Sequence, residues 1–364
     1  MSIPQSFDTN LVLQHTLKDA SSAIIGLGGD RPTPEVVVDR MLGEGGYNEV
    51  FLISWLSGWD DSTGSKSFAL RIPKPDSLLP HQILNEVASI SLISARCPNI
   101  PVPKIYAFSA DGPNPFIAQE YVDGEPLSTI WSRYTEMEKH SVALKIAEII
   151  VDMAETRFSA IGGIASPTSY TLGPTVEGSK FFKGRSKFHS NRCYPIGPYK
   201  TTKEYILACY DKEIYYYTHA PESDIDSGLF EITSVEDFVQ QLRDKKRQLE
   251  TSFVTEDEPF VLVHGDFHGR NIMMHGTQVQ AVLDWEFAGA YPLGELLGGM
   301  GVDVVEVEDD KSEEESVVWS RKIVRRVEEM ARQRGWDAKE LALLLGDGDP
   351  VLGEARMEMF PAEY

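Results

Sequence analysis

His264-Gly265-Asp266-Phe267-His268-Gly269-Arg270-Asn271, followed by Asp284-Trp285-Glu286, is the stretch from which the rest of this chain is read. Asp266 and Asn271 are five residues apart, and Asp266 and Asp284 eighteen. Phe260-Val261-Leu262-Val263 precedes them as a short apolar run and predicts a buried strand. Residues 272–274 and 279–283 flank His275-Gly276-Thr277 and predict a hairpin. Loops at the ends of such strands can hold two carboxylates and an amide around one point. Oxygen donors of that kind suit Mg²⁺, and one of the two carboxylates can orient a hydroxyl. Each of the three residues also has an ordinary reading, as a turn-stabilising Asp or Asn.

Working outward, the front of the chain is strand-rich. Residues 9–25 carry apolar positions at helical spacing before Gly26, Gly28 and Gly29 break the pattern. Val36-Val37-Val38, then Leu42-Gly43-Glu44-Gly45-Gly46-Tyr47-Asn48, then Val50-Phe51-Leu52-Ile53 read as strand, glycine turn, strand. Residues 59–66 are polar and predict a hairpin tip. Residues 67–73 predict a third strand stopped by Pro73. A helix follows over 81–96, with Ile83, Val87, Ile90 and Ile93 on one stripe and Glu86 beside it. Residues 104–109 and 115–121 predict two more strands. The back of the chain is helical over 136–158, 201–218, 234–251 and 316–334, with an irregular insertion at 159–198. The acidic run over 306–315 reads as a solvated loop.

The H-G-D-x-x-x-x-N pattern followed by D-W-E resembles the aminoglycoside phosphotransferase and choline kinase superfamily, a branch of the protein-kinase-like fold. The resemblance covers roughly residues 35–295. It implies an α+β fold of two lobes, a small antiparallel-sheet lobe and a larger, mainly helical one. The expected divisions are an N-terminal helical extension at 1–34, a nucleotide-binding lobe at 35–122, and a catalytic and acceptor-binding lobe at 123–364. It implies ATP and Mg²⁺ as cofactors and a small-molecule hydroxyl as phosphate acceptor. Asp266 is then the catalytic carboxylate, with His268 at the phosphate or the acceptor, and Asn271 and Asp284 are the metal ligands. Gly43, Gly45, Gly46 and Asn48 form the nucleotide-covering turn. Arg71, where kinases carry a lysine, is the phosphate contact paired with Glu86, and Lys74 is the weaker substitute. Glu120 and Val122 present backbone to adenine. The replacement of lysine by Arg71 keeps a second reading open, a nucleotide-binding pseudokinase or interaction protein on the same fold. H-G-D in place of H-R-D argues against a protein kinase. Gly162 and residues 197–205 are similar to a largely uncharacterised fungal branch that includes proteins linked by name to mitochondrial inheritance.

Composition narrows the partners. The chain has 364 residues, with 34 Lys and Arg against 56 Asp and Glu, a net charge of −22. Residues 302–316 hold eight acids and one lysine, yet without them the charge is still −15. Nucleic-acid binding is therefore disfavoured, and an acceptor of cationic character is the matching expectation. Three widely spaced cysteines argue against a disulfide framework or a zinc site. No apolar run reaches the roughly 20 residues of a membrane span. The first 20 residues lack a secretory pattern, and no arginine precedes Arg31, so a mitochondrial presequence fits poorly. These features together predict a cytoplasmic protein. Nothing in the sequence sets its oligomeric state.

Overall fold

The computed structural model describes residues 9–26, 35–56, 66–177, 183–255, 258–297 and 302–357. Most of the hairpin tip expected at 59–66 lies outside the described residues. Five strands form an antiparallel sheet in the order β1-β2-β3-β5-β4. They are β1 (Val36–Glu44), β2 (Asn48–Trp55), β3 (Ser67–Pro73), β4 (Ile105–Ser109) and β5 (Phe116–Glu120). Helix α1 (Thr9–Gly26) covers one face and α2 (His81–Arg96) the other. Alternation along a strand decides which residue meets which helix. Phe68, Leu70 and Ile72 of β3 join Leu13, Leu17, Ala20 and Ile24 of α1 in one core. Arg71, between Leu70 and Ile72, therefore faces α2.

The larger lobe is built round a second core. A two-residue strand β6 (Glu125–Pro126) leads into α3 (Leu127–Ile130) and the long helix α4 (Glu136–Glu155). Thr135 and Glu138 form a full capping box at the start of α4. The helix is shorter than the 136–158 pattern predicts. Its last residues form strand β7 (Arg157–Phe158), which pairs with β10 (Phe260–Val263). The insertion is not structureless: β8 (Gly163–Ile164) pairs with β9 (Leu172–Gly173). Helix α5 (Thr202–His219) is capped by Thr201, and α6 (Val235–Thr251) by Ser234, whose hydroxyl accepts from Asp237 N at 3.0 Å.

Strands β11 (Ile272–His275) and β12 (Gln278–Val282) form the expected hairpin, and β13 (Gly289–Pro292) returns to pair with β10. Helix α7 (Asp310–Gln333) corrects the reading of the acidic run as a loop. Residues 310–316 are its first two turns, started by a capping box between Asp309 and Ser312. Trp319, Ile323, Val327 and Ala331 are its buried stripe, packed on α4. Two short helices, α8 (Ala338–Leu344) and α9 (Pro350–Met357), close the described chain. Among the described residues no helix is long and apolar enough to cross a membrane.

Candidate active site

The hairpin of β11 and β12 brings Asn271 and Asp284 together. Ile272 pairs with Val282, and Leu283 N donates to Asn271 O at 2.8 Å, so the two residues leave the hairpin base side by side. Asn271 Nδ2 donates to Asp266 O at 2.9 Å and to Asp266 Oδ2 at 3.0 Å. Two backbone features close the arrangement. Gly265 has φ +82°, and a Cβ there would lie 2.4 Å from Phe287 O, so only glycine lets the two loops touch. Asp284 itself adopts φ +65°, a left-handed conformation that is uncommon for a non-glycine residue and is held here by its surroundings.

His264 is buried beneath the loop. It is 1% exposed, Nε2 lies 2.9 Å from Leu283 O, and Nδ1 accepts from Asp266 N at 3.2 Å. Burial pushes its pKa down to about 4, so the ring is neutral and braces the loop. Trp285, fully buried, packs against it at 4.3 Å between ring centres and donates to Val282 O.

The small lobe supplies the opposing wall. Arg71 Nη1 bonds Glu86 Oε1 at 2.5 Å, Nη2 bonds Asp284 Oδ1 at 2.7 Å, and Glu286 Oε2 stands 3.7 Å away. The guanidinium thus bridges the α2 carboxylate and the Asp-Trp-Glu segment, with Arg71 Nε buried and unpartnered. Burial alone would lower the pKa of Arg71, but Glu86, Asp284 and Glu286 raise it above the ordinary arginine value. Burial pushes Glu86 and Glu286 upward, and Arg71 pulls them partly back. Arg71 is thus the one cation that these three carboxyl groups share.

Several contacts here had no counterpart in the sequence reading. Glu286 Oε2 accepts from Asn48 Nδ2 and from Gln82 Nε2, both at 2.6 Å. Asn85 Nδ2 donates to Glu286 O at 3.0 Å and Ala288 O at 2.7 Å, while its Oδ1 accepts from Ile164 N. The i, i+4 relation of Gln82 to Glu86 places them on one face of α2. That spacing was the available signal. Arg270 was also passed over, although it lies inside the motif: its Nη2 bonds both oxygens of Asp266, at 2.8 and 3.1 Å.

Asp266 is consequently a well-satisfied carboxylate. Burial pushes its pKa up, but the hydrogen bond from His268, at 3.2 Å, and the charge and hydrogen bond of Arg270 outweigh it and hold the group well below the ordinary range. The catalytic loop is also tied to the segment before α7. Gly269 N donates to Asp303 O at 2.8 Å, and His268 Nδ1 lies 3.7 Å from Asp303 Oδ2.

The glycine turn is tighter than the sequence suggests. β1 runs through Gly43 to Glu44, and β2 begins at Asn48. A Cβ at Gly43 or Gly46 would meet nothing within 4 Å, and at Gly45 only an ordinary contact at 3.7 Å. None of the three has a positive φ. Neither packing nor backbone conformation demands glycine here. Lys74 reaches this turn, bonding Glu44 Oε1 at 2.6 Å and Gly45 O at 2.8 Å. Glu120 ends β5, and its amide is spent on Lys104 O at 2.8 Å. Val122, two residues further, is half-buried.

A cleft of about 760 Å³ opens beside Asp266. Val176, Phe267, Phe287, Tyr291 and Leu297 give it apolar walls, and Glu177, Glu295, Asp303 and Arg321 lie on its lining. Among the described residues no group of three His, Cys, Asp or Glu is placed to hold a metal ion. A cation here would be held by fewer protein ligands.

A family model described as the phosphotransferase enzyme family matches residues 40–300. A subtelomeric hrmA-associated cluster protein of Aspergillus fumigatus is 30% identical over 194 residues, 47% of this chain and 36% of that protein. The mitochondrial protein of Vanderwaltozyma polyspora named altered inheritance of mitochondria protein 9 is 31% identical over 180 residues, 44% of this chain and 26% of that one. The matches thus span about a third or less of those relatives' length. The structure of the streptomycin-ATP-APH(2")-IIa ternary complex superposes with a TM-score of 0.50 at 13% identity, covering 94% of this chain and 87% of that one. That likeness carries the two-lobed, protein-kinase-like architecture. The relatives overturn one expectation. A cytoplasmic home was read from composition and the N-terminal residues, whereas the relatives from Vanderwaltozyma polyspora, Lachancea thermotolerans and Kluyveromyces lactis are named as mitochondrial.

Proposed function

We propose that this chain, which belongs to the phosphotransferase enzyme family, transfers the γ-phosphoryl group of ATP to a hydroxyl of a small molecule. The observation that carries this reading is the convergence of Asp266, Asn271 and Asp284 at the hairpin base, with Arg71 joining Asp284 to Glu86. The division at 1–34, 35–122 and 123–364 belongs to the same proposal.

The residues present suit Mg²⁺. Asn271 donates through Nδ2, so its Oδ1 remains as an oxygen ligand, and Asp284 keeps Oδ2 beside the oxygen bound to Arg71. Mg²⁺ commonly takes one or two protein ligands, the rest being water and phosphate. When bound, it would neutralise phosphate charge as the γ-phosphoryl group leaves.

The chain's own groups supply the rest. Gly43, Gly45 and Gly46 leave open space over the turn into which phosphates can come close to backbone. Asn48, fixed by Glu286, holds that turn against the opposite lobe. Arg71 offers a phosphate contact without giving up Glu86, which favours catalysis over the pseudokinase reading. Glu120 and Val122 would face adenine. Asp266 is held too acidic to store a proton, so it orients the acceptor hydroxyl and takes its proton late, with His268 and Arg270 steering the carboxylate. The acids of the cleft, Glu177, Glu295 and Asp303, support an acceptor of cationic character. The names of the relatives support a mitochondrial setting.

Two variants test the assignment. Asp266→Ala is expected to abolish transfer while Mg²⁺–ATP binding changes less than about threefold. Asp284→Ala is expected to weaken Mg²⁺–ATP binding itself, at least about tenfold. Turnover at the wild-type rate in either variant would refute the site.

A further inference from the structure

Tyr47 stands at the end of the glycine turn and belongs to none of the groups assigned above. Gly43, Gly45 and Gly46 before it are exposed, yet Tyr47 is only 8% exposed. Its carbonyl oxygen is held from within the small lobe, accepting from Lys74 N at 2.7 Å and from Ser77 Oγ at 2.8 Å. Its ring meets two residues from far along the chain. Phe287, which follows Asp284-Trp285-Glu286, meets it edge to face, with ring centres 5.3 Å apart and planes at 82°. Arg185, in the irregular insertion, lies with its guanidinium carbon 4.7 Å from the ring centre.

Both neighbours of the ring are held by other parts of the chain. Arg185 is 6% exposed, and its Nη1 donates to the backbone oxygen of Glu177. Gly184 N, just before it, donates to Asp76 Oδ1 at 2.8 Å. Asp76 lies between Lys74 and Ser77, so the insertion is tied to the same loop that holds the Tyr47 carbonyl. Phe287 is constrained from the catalytic loop, where a Cβ at Gly265 would lie 2.8 Å from Phe287 Cβ. A turn that lifted would leave both neighbours behind. An edge-to-face ring pair and a cation over a ring, away from water, are each worth roughly three- to tenfold in an equilibrium.

We infer that Tyr47 is a positioning residue of the nucleotide site: its ring, clamped between Arg185 and Phe287, keeps the glycine turn down over the phosphates and slows release of the nucleotide. The inference rests on the ATP reading above and adds to it a task for the irregular insertion, which supplies Arg185. The three glycines leave room for phosphates but carry no side chain that could hold the turn in place. Asn48 ties the start of β2 to Glu286, and Tyr47 ties the turn itself.

The test loads the full chain with Mg²⁺ and the fluorescent analogue N-methylanthraniloyl-ATP. Loss of the analogue is followed by stopped-flow fluorescence against an excess of unlabelled ATP. Tyr47→Leu and Arg185→Met are each expected to speed that loss at least about fivefold. The double variant is expected to exceed the faster single by less than about twofold, because Arg185 acts through the ring. Tyr47→Phe keeps the ring and is expected to stay within about twofold of the wild type. A tyrosine that only packs would lower Tm when replaced and leave the rate of loss unchanged, and that result would overturn the inference. So would multiplication of the two single effects in the double variant. Should one of the two single variants fail to fold, the other decides. Normal binding to the wild type with unchanged loss from the variants sinks this inference alone. No binding to the wild type would sink the ATP reading and this inference with it.

Discussion

Replacing Arg71 by methionine removes the one guanidinium that serves Glu86, Asp284 and Glu286. Glu86 and Glu286 have side chains 3% and 6% exposed, so water cannot take its place. Breaking a buried pair by deleting one partner costs about 3–5 kcal/mol when the remaining charge stays ionised. Here the remaining groups can take up protons instead. Burial already raises the pKa of both glutamates in the folded state, and Arg71 opposes that rise. A carboxylate whose folded pKa is raised holds a proton that the unfolded chain releases. Stability therefore falls as pH climbs from the ordinary carboxylate range toward neutral. Without Arg71 both values rise further, so protonation relieves the variant more at about pH 6 than at about pH 8. The expected loss is about 4 kcal/mol at the higher pH and about 2 kcal/mol at the lower. Arg71→Lys should lose about 1–2 kcal/mol, because one ammonium cannot fork onto both Glu86 and Asp284. Urea unfolding at the two pH values, followed by tryptophan fluorescence, gives these numbers. A loss independent of pH, or below about 1 kcal/mol at both, would refute the argument that one guanidinium holds the two buried glutamates and Asp284.

Other expectations follow from the same geometry. Gly46→Ala should leave stability within about 0.5 kcal/mol of wild type while weakening ATP binding several-fold by calorimetry, because its Cβ meets no protein atom. Gly265→Ala should instead be destabilised by more than about 3 kcal/mol, since its Cβ would strike Phe287. Arg270→Ala removes a cation that holds Asp266 down, so the acid limb of the rate profile should move to higher pH. An unmoved limb would separate Asp266 from the chemistry. Asp309→Ala should cost about 1 kcal/mol in chemical denaturation through loss of the α7 cap, with no change in KM.

What the sequence made legible follows from how tightly the chemistry constrains each residue. Asn271 and Asp284 could be placed together because one hairpin separates them, and Asp266 because it precedes Asn271 by five residues in the same loop. Arg71 and Glu86 were singled out through the resemblance, which puts a cation on the third strand and its carboxylate on the following helix, and the two meet at 2.5 Å. Gln82 and Asn85 escaped notice because polar residues on a helix normally read as a solvated face, and only the returning Asp-Trp-Glu segment buries them. β13 was missed because Gly289-Ala290-Tyr291-Pro292 has little strand character of its own and owes its conformation to pairing with β10. The first two turns of α7 were read as loop because its apolar stripe begins only at Trp319, while the acids before it obey a capping signal at Asp309 and Ser312. Location in the cell has no such local physics. Composition pointed to the cytoplasm, and the relatives point elsewhere.

The central claim is that Asp266 stands where a phosphoryl group is handed to a hydroxyl. Phosphorus NMR of the full chain with Mg²⁺–ATP and a panel of amino alcohols, aminoglycosides and sugars tests it directly. A new phosphomonoester signal with the wild type and none with Asp266→Ala is the predicted result. A signal of equal size with both proteins would contradict the account.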